Sequence, residues 1–99
     1  MYKLFFTVSY EARVRKFLKR NTELKKQYVK TLQLLELNPF HPSLRLHQFK
    51  TVNFEGYSVS INLTYRISLE FLISGKEILL VSIGDHRDIR KEIGAIGAN

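Results

Sequence analysis

The hydrophobic period of this 99-residue chain changes from helical to alternating at Asn38-Pro39, and that change limits the folds open to it. Before it, apolar residues recur every three or four positions: Val14, Phe17 and Leu18 in one run, Leu24, Tyr28, Leu32 and Leu35 in the next. That spacing gathers them on one face of a helix. After it, apolar and polar residues alternate, first in LRLHQF and again in YSVSINL, where Tyr57, Val59, Ile61 and Leu63 share a face, as in a half-buried strand. Proline enforces the boundary, because it disfavours the helical conformation in the residue before it and cannot donate to the helical ladder.

The remaining elements follow from the same rules. YKLFFTV at residues 2–8 is apolar, aromatic and β-branched, which predicts a strand. Ser9 then offers an N-cap for a helix over residues 10–20, with Glu11 in its first turn. Asn21-Thr22 interrupts that helix, and Thr22 is placed to cap the second. Past the FHPS loop and the alternating strands, YRISLEFLI reads as a strand, Ser74-Gly75-Lys76 as a turn and EILLVSIG as a central strand. The closing KEIGAIGAN is expected to fray, since Gly94 and Gly97 weaken a helix. Helices followed by strands predict an α+β fold in which a helical hairpin packs on one face of a mostly antiparallel sheet. The length predicts one domain over residues 1–99.

Composition narrows the function. The chain is 44% hydrophobic with five Gly and two Pro, as ordinary folded proteins are. It has no cysteine, so no disulfide framework, thiolate metal site or cysteine nucleophile is available, which fits a reducing cytoplasm. The basic residues of its start follow the first apolar run instead of preceding it, unlike a secretory signal, and no stretch approaches the length of a membrane span. The net charge of +7 calls for a polyanionic partner. That charge is uneven: residues 1–50 hold eleven Lys/Arg against three Glu, and residues 51–99 hold five against six Asp/Glu.

The side chains suited to chemistry come after residue 44, on separate strands: Arg45, His47 and Lys50, then Arg66, then His86, Arg87 and Arg90. An antiparallel meander can bring such residues to one face or edge, and metal-free RNA cleavage needs such a set. It requires a base for the ribose 2′-OH, an acid for the departing 5′-oxygen and cations for the charge on phosphorus. Histidine suits either proton role. Arg66 and Arg87 suit bidentate contact with phosphate, and Tyr57 and Tyr65 suit stacking on a base. The plainer readings are that His41 is a loop residue, that His47 is an exposed strand residue and that the basic first helix is a solvated face. An arginine inside an apolar strand is hard to bury unpaired, so Arg66 either pairs with Glu70 or Asp85 or faces a phosphate. No carboxylate and histidine spacing marks a metal site, and no P-loop, dinucleotide fingerprint, G-x-S-x-G elbow or zinc signature is present, so neither metal nor cofactor is expected.

In this order and spacing the residues are similar to a known family. The β-α-α-β-β-β order, the stretch NPFHPSLRLHQFK, the segment GYSVSINLTYRISLEF and the closing ILLVSIGDHRDIRK resemble the RelE/ParE superfamily of toxin–antitoxin proteins over nearly the whole chain. The resemblance implies a ribosome-dependent mRNA endoribonuclease that inhibits translation, with a cognate antitoxin, the ribosome and messenger as partners. By position, His47 matches a histidine after the second helix in the YafQ-like branch, Arg66 the Tyr-Arg arginine of many nuclease members, and His86 the late histidine of a Gly-x-His motif. His86, His47 and Arg66 are thus the implied catalytic residues, with Arg45, Lys50, Arg87 and Arg90 binding RNA phosphates.

The chain departs from the pattern at Arg90, where many active members carry Tyr or Phe, and at Ile61 and Tyr65, where the YafQ-like branch has polar residues. Arginine stacks on bases and holds phosphate but is a poor proton carrier. Two alternatives therefore stand beside the nuclease: a ParE-like inhibitor of DNA gyrase, and a catalytically impaired toxin fold that only binds an antitoxin.

Overall fold

A computed structural model describes residues 1–52, 54–72, 75–85 and 89. Strand β1 (Lys3–Phe6) leads into helix α1 (Val8–Arg20), a 3-10 turn (Thr22–Leu24) and helix α2 (Lys25–Leu37). A second 3-10 turn (Pro42–Leu44) precedes β2 (His47–Thr51), β3 (Phe54–Ser60), β4 (Tyr65–Phe71) and β5 (Glu77–Asp85). The sheet order is β1-β5-β4-β3-β2. β2 to β5 form an antiparallel meander, and the helical hairpin carries the chain over the sheet so that β1 joins β5 in parallel. The fold is α+β, as the change of period predicts, and β5 lies inside the sheet.

Thr7, not Ser9, caps α1. Its extended backbone lets its hydroxyl accept from the Tyr10 amide at 3.0 Å, so the helix begins at Val8. The earlier start adds Tyr10 to the buried face, two turns before Phe17, with Val14 and Leu18 partly covered. In α2, Tyr28, Thr31 and Leu35 are buried, and Leu24 and Leu32 pack at the margin. The Tyr10 and Tyr28 hydroxyls meet at 2.9 Å between the helices. Burial, and then Tyr28 itself, push the Tyr10 phenol far above its ordinary value. Thr22 does not cap α2 but opens the 3-10 turn; α2 follows with Leu24 at its N-cap and no side-chain bond there. The helix ends at Leu37, with the Asn38 amide donating to Leu34 O, where Pro39 requires it.

Expected strand limits also move: β1 stops at Phe6 and not Val8, and β3 starts at Phe54. LRLHQF becomes a strand only from His47, because Leu44 closes the second 3-10 turn and Arg45 turns the chain with a left-handed backbone at φ 49°. Leu63 does not share the apolar face of β3. The strand stops at Ser60, and Asn62 Oδ1 organises the turn to β4 by accepting from the Thr64 and Tyr65 amides at 2.9 and 2.8 Å, which leaves Leu63 88% exposed.

The sheet has two unlike faces. Val59, Ile61, Ile67, Leu69, Ile78, Leu80 and Ile83 form the core with the helices. On the other face the interleaved residues are Ser58, Ser60, Arg66, Ser68 and Ser82. At the far end of β2 and β3, Phe49, Phe54 and Ile89 form a second apolar cluster. Gly56 serves this cluster: a Cβ there would lie 2.6 Å from Leu69 O and 2.7 Å from the Phe54 ring. Ser74 and the terminal stretch KEIGAIGAN lie outside the described residues, whereas Gly75 has the positive φ of 79° that the expected turn needs.

Candidate functional site

The polar face is assembled by strand register. Ser60 of β3 lies opposite Arg66 of β4, which lies opposite Gly84 of β5. One row over, His47 of β2 lies opposite Ser58, and Ser58 opposite Ser68. The Arg66 guanidinium is therefore set among hydroxyls. Its Nε donates to Ser58 Oγ and its Nη1 to Ser60 Oγ, both at 2.9 Å. Its Nη2 lies 3.2 Å from Arg45 O and 2.9 Å from His47 Nδ1. The left-handed turn at Arg45 aims that carbonyl back at the sheet.

Among the described residues no carboxylate is a partner of Arg66. Glu70 is four positions along β4, opposite Leu79, and Asp85 lies opposite Tyr65 on β5, so the ion pair allowed by the sequence does not form. Burial first, and the charge of Arg45 second, lower the guanidinium below its usual value. A half-buried cation held only by neutral groups is an open electrostatic site, since an anion would relieve both effects.

The same network assigns the proton of neutral His47. Nδ1 is close to both Arg66 Nη2 and Arg45 O, the latter at 3.1 Å, and cannot accept from one while donating to the other. Arg66 carries only donors, and a donor facing it at 2.9 Å would oppose a full positive charge, so the charge-assisted bond decides. Nδ1 accepts, and the proton sits on Nε2, 3.5 Å from Ser58 Oγ.

Of the residues singled out by sequence, Arg45, His47 and Arg66 come together. Lys50 does not: it is opposite in parity to His47 along β2 and lies across the ladder from Glu55. Tyr57 and Tyr65 are on the core side, Tyr57 edge-on to Phe71 at 5.2 Å and Tyr65 edge-on to Phe17 at 4.9 Å, so neither is a base-stacking platform beside Arg66. His41 is a loop residue whose Nδ1 accepts from the Ser43 amide. His86, Arg87 and Arg90 lie outside the described residues. Ser58 and Ser60 were missed by sequence reasoning, although two serines alternating with apolar residues in a strand were a readable sign of a polar inner face. The basic helix also has a shape: Arg13, Lys16, Lys19 and Arg20 surround a groove of about 560 Å³ floored by Phe17, Ile83 and Gly84. Among the described residues no three His, Asp or Glu side chains come together as a metal site would need, and no helix is long and apolar enough to cross a membrane.

No protein-family model and no curated protein sequence matches the chain. Solved structures do. A metal-bound toxin from Helicobacter pylori is similar with a TM-score of 0.72 at 16% identity, over 90% of this chain and 99% of that one. YafQ from Escherichia coli BL21(DE3) follows at 0.71 and 10% identity, over 90% and 98%. The YoeB–YefM complex from Staphylococcus aureus gives 0.65 at 17% identity, over 87% and 98%. The chain therefore has the fold of these toxin structures over most of its length.

Proposed function

We propose that the protein is the toxin of a toxin–antitoxin pair and acts in the cytoplasm by cutting messenger RNA on the ribosome. The observation that carries this reading is the Arg66 guanidinium, half-buried, with no carboxylate partner among the described residues and in contact with an imidazole. A phosphodiester supplies the missing anion, and ribose chemistry uses the imidazole.

In this reading the ribose 2′-oxygen attacks the adjacent phosphorus, its proton passes to a base, the bond from phosphorus to the 5′-oxygen breaks, and an acid protonates that oxygen. The products are a 2′,3′-cyclic phosphate and a free 5′-hydroxyl. Arg66 offsets the charge that grows on the equatorial oxygens. His47 is the acid: once Nδ1 is released from Arg66 and takes a proton, the imidazolium gives its Nε2 proton to the 5′-oxygen and returns to the neutral ring. His86 is the base; it follows Asp85 in the chain, two positions after Gly84, the register partner of Arg66. Arg45, Arg87 and Arg90 hold neighbouring phosphates. The partner that silences the toxin is an acidic antitoxin, in line with the fold's likeness to YoeB in its complex with YefM.

The test is to induce the chain in cells and map messenger 5′ ends, beside a gyrase supercoiling assay with the purified protein. Cuts inside translated frames support the reading. Intact messengers with inhibited supercoiling would replace it with gyrase inhibition, and neither effect would leave a fold that only binds its antitoxin.

A further inference from the structure

The bonds of Arg66 divide into two kinds. Ser58 and Ser60 are buried residues of β3 and hold Nε and Nη1 from within the sheet. Nη2 has a long contact with Ser58 O at 3.5 Å, but its shorter ones, Arg45 O and His47 Nδ1, come from exposed residues of β2 and its approach. A hydroxyl accepts from a guanidinium without cancelling its charge, as a carboxylate would. The serines therefore fix the orientation of the cation and leave its attraction for anions intact. A phosphate held bidentately at the outer end needs one hydrogen from Nη1 and one from Nη2. Nη1 has a second hydrogen beyond the one given to Ser60; Nη2 must release one of its present acceptors.

We infer that Ser58 and Ser60 are positioning residues that anchor Arg66 so that its Nη2 can pass from His47 Nδ1 to a phosphate oxygen, which frees Nδ1 as the substrate binds. The inference rests on reading this face as a phosphodiester site. It goes further in coupling anion binding to the state of the imidazole: the group that engages the cation also releases the histidine.

Inorganic phosphate titrated into the full-length protein tests this, with chloride at equal ionic strength as control, by NMR of the Arg66 Nε–H and the two His47 ring nitrogens. In the parent, the Arg66 Nε–H exchanges slowly with water, and phosphate moves the Nδ1 resonance of His47 away from that of a hydrogen-bonded acceptor. Ser58→Ala and Ser60→Ala speed exchange at Arg66 Nε and weaken phosphate binding on the order of tenfold each, as the loss of one hydrogen bond to a charged group does. Ser58→Thr and Ser60→Thr, which keep the hydroxyl, restore both. If an alanine variant unfolds, cysteine at the same position, similar in size and a weak acceptor, takes its place. Alanine variants that bind phosphate as the parent does, or a His47 signal that ignores phosphate, would overturn the inference even if messenger is cut. Absence of messenger cleavage by the parent would remove the preceding reading while leaving the phosphate result to stand by itself.

Discussion

Arg66 Nη2 and His47 Nδ1 lie 2.9 Å apart, a contact between a permanent cation and a group that becomes a cation on taking a proton. The pair holds together only while Nδ1 accepts, so the two side chains are coupled through one hydrogen bond. Their separation by nineteen positions in sequence is closed by β3, whose Ser58 reaches both and whose Ser60 holds Arg66.

Replacing Arg66 separates its function from its stability. Arg66→Met keeps length and removes a desolvated cation that no carboxylate of the described residues offsets, so the midpoint of thermal unfolding should hold or rise. Messenger cleavage on programmed ribosomes should fall by roughly 10²–10³-fold, as when an electrostatic stabiliser of a transition state is lost. Arg66→Lys should be nearly as damaged, since a point-like ammonium lacks the planar fork whose separate nitrogens meet Ser58, Ser60 and a phosphate. A folded Arg66→Lys variant with parental activity would show that charge alone is what the site uses.

The Tyr10–Tyr28 pair sets a stability prediction of its own. Tyr10→Phe leaves the Tyr28 hydroxyl without its partner, and Tyr28→Phe does the converse; each should cost about 1–3 kcal/mol in urea unfolding. The double variant should be less destabilised than the sum. The pH dependence has a definite sign. With its folded value raised above the ordinary 10.0, Tyr10 keeps its proton in the native state above pH 10 while the unfolded chain loses it. Stability is thus full below pH 10 and falls above it by about 1.4 kcal/mol per pH unit from this group. Removing the Tyr10 hydroxyl should flatten that decline, and an unchanged slope would exclude the phenol as its source.

Gly56→Ala should destabilise by about 1–3 kcal/mol, the usual cost of forcing an atom into a packed site. The new Cβ would meet both the backbone oxygen of Leu69 and the ring of Phe54. In the double variant Gly56→Ala, Phe54→Leu, the ring is gone but the carbonyl remains, so urea midpoints should show partial recovery. Full recovery would mean that the ring alone required glycine.

Much of this was legible in the sequence. Asn38-Pro39 divided helices from strands, and Arg45, His47 and Arg66 were recognisable as polar residues on elements able to converge. Register was not legible, because the pairing of Ser60 with Arg66 and Ser58 with His47 depends on turn lengths as well as on pattern. Parity was legible and was not used fully: the alternation that groups Tyr57 with Val59 already sets it on the face away from Ser58 and the arginine. Thr7 and Ser9 both satisfy the chemistry of an N-cap, and the burial of Tyr10 decides between them.

Under the proposed function, the groove of α1 predicts how an acidic antitoxin would bind. Arg13, Lys16, Lys19 and Arg20 rim an apolar floor of Phe17 and Ile83, which suits an acidic segment with an apolar face. Lys16→Glu with Lys19→Glu should weaken the complex at least tenfold at low salt, and the parental affinity should itself fall as salt screens the rim. Calorimetry from low to high salt measures both. An affinity that stays flat would mean that apolar contact, not charge, holds the partner.

His86 carries the sharpest test of catalysis. If it takes the proton of the 2′-hydroxyl, His86→Ala should lower messenger cleavage by on the order of 10²–10⁴-fold, the range for one positioned proton-transfer group. His86→Gln keeps hydrogen bonding but cannot titrate, so it should be nearly as inactive. The fold should survive both changes, because the buried run of β5 ends before this position and its last strand residue is Asp85. Under the same reading Arg90→Ala should cost less, since an arginine holds a phosphate without moving a proton, and Arg90→Tyr should raise activity if an aromatic ring stacks on the nucleotide. Cleavage on programmed ribosomes gives the rates, and circular dichroism confirms each fold. A folded His86→Ala variant that cuts as fast as the parent would remove His86 from the mechanism. The proton transfers would then fall to His47, with Arg66 as the only described cation in contact with it.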